Sequence, residues 1–204
     1  MVTAIDAIKE LRKEKKKKFV QTVDLIINFQ KYDPRKQGLN TFVQVPHPAE
    51  KRICAFLTKK SKIVDTIIKE DFDKYKDNKA IKKLAAKYDS FISVAPMMAP
   101  VATKFGRVLG PIGKMPSPQA GIIPVDTDEK IAAELDKMKK VIRIRTKENS
   151  LKLNVGKEDM SDEDLAENIE AVVKKIGELL PNKKENIKNI LVKFTMAKPV
   201  RIDK

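Results

Sequence analysis

The chain has 204 residues, 42% of them apolar, and 43 Lys+Arg against 28 Asp+Glu give it a formal net charge of +15. That length and apolar content suit one large domain or two small ones with real cores and exclude a disordered tail, while the charge calls for a polyanionic partner, nucleic acid or an anionic membrane surface. No apolar run approaches the ~20 residues that span a bilayer, and the lone Cys54 and lone His47 supply neither an intrachain disulfide nor a usual zinc site or Cys–His nucleophile.

MVTAIDAIKELRK, charged from Asp6 on, lacks a signal-peptide core. Thr3 with Asp6 three residues on predicts a capped helix carrying Ile5, Ile8 and Leu11 inward. It dissolves into Lys15–Lys18 and a strand follows. Phe19, Val23, Leu25, Ile27 and Phe29 form an apolar row broken only by Gln21. Thr22, Asp24, Asn28 and Gln30 form a polar row, with Val20 and Ile26 the exceptions. Period-two alternation assigns one row to a core and the other to an open face. Cations stand at both ends of that strand, Lys18 before it and Arg35-Lys36 after, a surface suited to a phosphate backbone with hydroxyls read between the charges. TFVQV over 41–45 predicts a second strand pairing antiparallel with the first. Pro46-His47-Pro48 stops the sheet and marks a boundary, with His47 as a turn residue.

Beyond it the pattern changes. Ile53–Leu57 and Phe91–Ala95 are near-continuous apolar runs, the mark of strands buried on both faces. Between them lie Ile67-Ile68 and a basic helix with Ile81, Leu84 and Ala85 inward. Pro96 opens a helix, MMAPVATKFGRVL, whose Pro100 falls in the first turn. A rigid exposed loop over 110–118 follows, then a helix over 128–140 and a strand over 141–145. Strand alternating with helix predicts a parallel α/β unit. Alternation returns at Leu151, Leu153 and Val155. Ser161 with Asp164 caps a long helix striped by Leu165, Ile169, Val172, Val173, Ile176 and Leu180, and a last alternating strand runs from Ile190 to Thr195.

Half-exposed strands at both ends and doubly buried ones between imply one α+β domain from residues 1–48 plus 150–204, with an α/β domain inserted over 49–149. Two chain crossings would let the domains rock. The insert holds 22 basic and 13 acidic side chains and the remainder 21 and 15, so both are basic. Acids crowd between Glu158 and Glu170, where they suit the dipole of the long helix and leave the strand side for a polyanion.

The chemistry tests are negative. Gly113-Lys114 resembles the end of a phosphate loop, but Met115 stands where Ser or Thr is needed and Val108 where the first glycine belongs. A dinucleotide fingerprint would follow a strand, whereas this loop follows a helix. Asp159 and Asp162–Asp164 read as helix-start acids rather than catalytic carboxylates, and Met97-Met98 as core. No catalytic constellation, cofactor site or metal site is expected, and the chain is read as no enzyme.

The segments Phe19-Val20-Gln21-Thr22-Val23-Asp24, Asp33-Pro34-Arg35-Lys36, Val45-Pro46-His47, Leu109-Gly110-Pro111-Ile112-Gly113-Lys114-Met115-Pro116, Val155-Gly156-Lys157 and Phe194-Thr195-Met196-Ala197 together resemble the large-subunit ribosomal protein L-one family, the protein of the mobile stalk beside the tRNA exit site. The short N-terminus and Lys198-Pro199 look like its archaeal or eukaryotic branch. The resemblance implies a discontinuous α+β split-sheet domain with an inserted Rossmann-like parallel α/β domain. It further implies a cytoplasmic, ribosome-bound protein, monomeric off the ribosome, with no membrane partner. Large-subunit rRNA, exit-site tRNA and its own mRNA are the implied partners, with release of deacylated tRNA and translational repression as roles. Residues implied to meet rRNA are Lys18, Phe19, Thr22, Asp24, Arg35, Lys36, Gly156, Lys157, Thr195, Met196 and Ala197. Lys18 and Lys157 would take phosphates, Thr22, Asp24 and Thr195 2′-hydroxyls and base edges, and Phe19 and Met196 sugars or bases, while Gly156 would admit a close backbone. Gly110, Gly113 and Lys114 are the insert's candidates for tRNA or other RNA. Ala197 stands where the family usually has Gly, so its methyl is expected to hold RNA back or to demand another backbone angle. Ile112, where Arg is common, removes one cation.

Overall fold

The computed structural model describes residues 3–13, 17–34, 38–75, 77–146 and 148–202. In chain order the helices and strands are α1 (Ala4–Arg12), β1 (Thr22–Phe29), β2 (Asn40–Gln44), β3 (Ile53–Phe56), β4 (Asp65–Ile67), α2 (Asn78–Lys87), β5 (Ser90–Val94), α3 (Met98–Ile112), β6 (Ile122–Ile123), α4 (Asp128–Lys140), β7 (Val141–Arg145), β8 (Ser150–Lys157), α5 (Asp162–Leu179), β9 (Ile187–Phe194) and β10 (Val200–Ile202). They divide into two compact units, Met1–Ala49 with Lys140–Lys204, and Glu50–Lys139.

The discontinuous unit is built on a four-stranded sheet of order β10-β9-β1-β8, every neighbouring pair antiparallel. Along β1 the odd positions are buried and the even ones half-buried, as the alternation requires. Val23, Leu25 and Ile27 share one core with Ala7, Ile8 and Leu11 of α1 and Leu165, Ile169, Val172 and Ile176 of α5. Each such aliphatic chain withdrawn from water contributes about 1.5–3 kcal/mol before ordering costs. Both helices start where their caps say. Thr3 Oγ1 accepts from Asp6 N at 3.2 Å while Asp6 Oδ2 accepts from Thr3 N at 3.3 Å, and Ser161 Oγ accepts from Asp164 N at 3.1 Å. Arg12 ties the two ends together, pairing with Asp162 and donating to Met160 O.

Two expectations fail here for one reason. β2 does not pair with β1, because β8 and β9 fill both edges of that strand. It pairs instead with β7 in a separate two-stranded ribbon, Asn40 opposite Arg145 through Gln44 opposite Val141. The return crossing therefore comes at Lys140, ahead of β7 rather than behind it, and Val141–Arg145 belongs to the discontinuous unit. A connection through Pro34 and Gly38 is no tight hairpin, so closeness in sequence did not fix the partner.

In the continuous unit the sheet order is β4-β3-β5-β6, all parallel. Every residue of β3 is buried, with Phe56 in a core against α2 and α3 and Ala55 in a second one against α4. Pro100 falls in the first turn of α3, as expected. Gly110-Pro111-Ile112, read as loop, are instead its last turn, and Gly113 ends it at φ +83°. A proline there forgoes one amide bond, and only the next residue needs the left-handed conformation that glycine supplies.

Asn168 of α5, fully buried, holds the end of β2's segment in place. Its Oδ1 accepts from His47 N at 3.0 Å, and its Nδ2 donates to His47 O at 2.6 Å and Val155 O at 3.1 Å. Asn168→Ala leaves those three backbone groups without their partner and should cost about 1–3 kcal/mol. Urea unfolding checks it; an unchanged midpoint would mean the segment is anchored elsewhere.

Candidate nucleic-acid interface

Residues opposite one another in an antiparallel pair share a face. On the face turned from α1 and α5, Asp24 therefore lies between Asn154 and Lys193, Ile26 between Lys152 and Leu191, and Asn28 between Ser150 and Asn189. Arg201 adds a cation beside Leu191. At the end of this face Thr22 has Lys157 on one side and Thr195 on the other.

The two threonines meet across a gap of 173 positions in sequence. Thr22 Oγ1 and Thr195 Oγ1 are 2.8 Å apart, Thr22 N donates to Thr195 Oγ1 at 3.2 Å, and Thr195 N donates to Thr22 O at 3.2 Å. Each hydroxyl has two acceptor lone pairs, so the pair holds its geometry and keeps capacity for a ligand. Around it Lys18 and Thr195 are exposed, Phe19 is 55% and Met196 65% exposed, and Val20 is 59% exposed. Large apolar groups on an open, cation-rimmed corner need a partner to cover them.

Burial pushes the Asp24 carboxyl above its ordinary range, with Lys193 and a bond from Thr22 pulling the other way. It is an acceptor aimed at the open face and suits donors such as hydroxyls and base amino groups.

Three predicted contacts point elsewhere. Gly156 is buried, and a Cβ on it would run into Leu165 Cδ2 and stand 3.0 Å from Met160 Sδ. Its missing side chain makes room for α5. The cause is a bulge between Val23 and Asp24 that leaves Val155 unmatched and turns both Val155 and Gly156 inward. Ala197 is 8% exposed and joins the main core, so its methyl packs inward rather than holding RNA back. Lys114, expected on an exposed loop, donates to Ala85 O and Tyr88 O at 2.8 Å each, capping the last carbonyls of α2; burial lowers its pKa. Gly110 is half-buried inside α3 and Gly113 ends it. Arg35 and Lys36 lie outside the described residues.

Gln21 was read only as a break in the apolar row, and it is the corner's internal brace. It is 4% exposed, its Oε1 accepts from Met196 N at 3.0 Å, and its Nε2 reaches Glu158 Oε2 at 3.3 Å. A polar side chain at core parity was the signal: burial demands partners, and here they are the two turns flanking the threonine pair. Lys152, Lys193 and Arg201 were also missed, because their face is legible only once the strand order is known.

Asp162 is taken by Arg12, and Asp164 and Glu167 face the two ring nitrogens of His47 at 3.3 and 2.8 Å. No group of three or more metal-ligating side chains and no helix long and apolar enough to cross a membrane occurs among the described residues.

Fold and site together define a two-unit α/β protein whose discontinuous half presents an open basic sheet. The sequence profile of the ribosomal protein L1p/L10e family matches residues 11–198, and the chain belongs to that family of structural, non-enzymatic ribosomal proteins. Its location is the ribosome, in the cytoplasm. It is 33% identical over 212 residues to the large ribosomal subunit protein uL1 of Nanoarchaeum equitans, covering 98% of this chain and 100% of that one. It is also 33% identical to the protein of that name from Thermococcus kodakarensis over 98% of this chain and 96% of the other, and 32% identical to that of Methanobrevibacter smithii over 97% of each.

Two substitutions separate the parts of this corner. A folded-state carboxyl raised above its unfolded value adds stability below that value and loses it as pH rises through the folded one. Asp24→Asn, neutral at every pH, should therefore unfold at higher urea than the parent at neutral pH and show no such gain below pH 3.8. An equal gain at both would mean the carboxylate is not disfavoured by the fold. Gly156→Ala overpacks Leu165 and should cost about 1–3 kcal/mol. Adding Leu165→Val should return part of that loss; strict additivity of the pair in urea unfolding would place the collision elsewhere.

Proposed function

We propose that the chain is built into the large ribosomal subunit by gripping folded rRNA with the open face of its discontinuous unit. One observation carries the reading: the Thr22–Thr195 hydroxyl pair, fixed at 2.8 Å on an exposed corner between Lys18, Lys157 and the bare Phe19 and Met196. Hydroxyls and a carboxylate held between cations suit RNA rather than DNA, since the 2′-hydroxyl both donates and accepts. Lys18 and Lys157 meet phosphates, Thr22, Asp24 and Thr195 meet 2′-hydroxyls or base edges, and Phe19 and Met196 lie on sugars or bases and exclude water from those bonds. Lys152, Lys193 and Arg201 extend the same face. The relatives' names support the large subunit as its place.

The family resemblance extends this reading to a monomer that joins the mobile stalk, meets exit-site tRNA, assists release of the deacylated form, and represses its own mRNA through the same corner.

The test is binding of the whole chain to large-subunit rRNA fragments by filter retention. Thr195→Ala removes one hydroxyl of the pair and should weaken binding by about 1–3 kcal/mol. Lys157→Ala should lower the slope of log affinity against log salt by about one. Parent protein that held random duplex DNA as tightly at matched salt, or Thr195→Ala with parental affinity, would remove the corner from the interface.

A further inference from the structure

The continuous unit carries a second feature that the sheet face does not explain. A cleft of about 350 Å³ opens where the parallel strands begin, lined by Lys51, Arg52, Ile63, Lys87, Leu135 and Lys139 among others. Its walls come from the entry to β3, the entry to β4, the end of α2 and the last turn of α4. Four of its side chains are cationic and one, Asp65, is acidic. That acid is already engaged, accepting from Tyr88 Oη at 2.6 Å with Lys87 Nζ at 3.9 Å. The cations have partners too: Arg52 Nε lies 3.7 Å from Asp89, Lys139 Nζ lies 3.2 Å from Asp136, and Lys51 Nζ donates to Met138 O at 3.4 Å. The ion pairs of Arg52, Lys87 and Lys139 stand at exposed positions where such pairs hold weakly, so a bound anion can compete for these side chains. Lys51 is half-buried, and burial holds its ammonium below its usual pKa range while Asp89 pulls the other way.

A bare phosphate would fill little of this space. The remainder is apolar, with Ile53, Val64 and Leu135 on the walls and Ile63 at 51% exposure beside them. Small-molecule sites of about 300–1,000 Å³ combine such apolar walls with a few polar groups that fix orientation. The strand-exit end, where open α/β sheets usually bind ligands, is differently arranged here. There Asp126 accepts from Thr58 N at 3.0 Å, Thr58 Oγ1 at 2.6 Å and Lys59 N at 3.2 Å, pinning the loop after β3.

We propose that this cleft is a nucleotide subsite, taking a base or ribose against Ile63, Val64 and Leu135 and a phosphate among Lys51, Arg52, Lys87 and Lys139. The nucleotide is either free or one unstacked residue of an RNA strand, and both present the same chemistry: a flat ring with apolar faces joined to a phosphate. The assignment is independent of the reading given to the discontinuous unit, because every lining residue lies within Glu50–Lys139.

The test follows amide signals of the ¹⁵N-labelled whole chain during titration with adenosine monophosphate, inorganic phosphate, and a short single-stranded oligoribonucleotide. Saturable shifts at residues 51–53, 63–65, 87–88 and 135–139 are expected with the mononucleotide at or below about 10 mM. Lys87→Glu and Lys139→Glu, both at exposed positions, should each weaken them at least about tenfold, whereas Lys79→Glu, the same charge change at the start of α2, should leave them unchanged. A stronger effect of the oligoribonucleotide at these same amides assigns the site to an RNA strand; a stronger effect of the mononucleotide assigns it to the free form. No saturable shift with either, or equal affinity for inorganic phosphate, overturns the proposal, as does equal weakening by Lys79→Glu.

Discussion

Everything in the discontinuous unit depends on β1 being hydrogen-bonded along both edges. An isolated pair of strands is marginal in water, and a strand with one free edge invites unwanted pairing. β1 escapes both conditions by taking β8 and β9 from the far end of the chain. The entropy of closing such long loops grows only slowly with their length. It is offset by a face of Val23, Leu25 and Ile27 that α1 and α5 cover completely. With the core on one side settled, the other side is left free for polar groups whose positions the ladder fixes.

How much of this was legible depended on whether a signal was local. Alternation from Thr22 to Phe29 predicted which side of β1 is buried, although Phe19 of the same apolar row lies ahead of the strand and is exposed. The caps at Thr3 and Ser161 marked where two helices begin. The parallel sheet was legible from continuous apolar runs. Partnership was not. Nothing in TFVQV says that its mate is Val141–Arg145, because both strands offer the same half-buried pattern and only the filled edges of β1 exclude the alternative.

The site divided in the same manner. Thr22 and Thr195 come together because each sits at the end of a strand whose register is fixed by its buried neighbours. Gly156 and Ala197 were misread because a glycine or alanine in a motif does not reveal which way its Cα–Cβ bond points. The bulge beside Val155 turns one inward, and the turn after Phe194 turns the other. Lys114 was misread because a lysine in a Gly/Pro-rich stretch has no pattern that announces a helix end behind it; two carbonyls of the α2 terminus claim it. Gln21 shows the converse, an irregularity in a regular row that marked a structural role.

The discontinuity has a consequence for how the molecule is made. Glu50–Lys139 is one uninterrupted stretch, so its parallel sheet can close while synthesis is still under way. The other half cannot, because β1 has neither neighbour until the last third of the chain exists, and the outermost strand, β10, ends at Ile202. Phe19, Thr22 and Asp24 are thus made ahead of the continuous unit and acquire their final surroundings only after it.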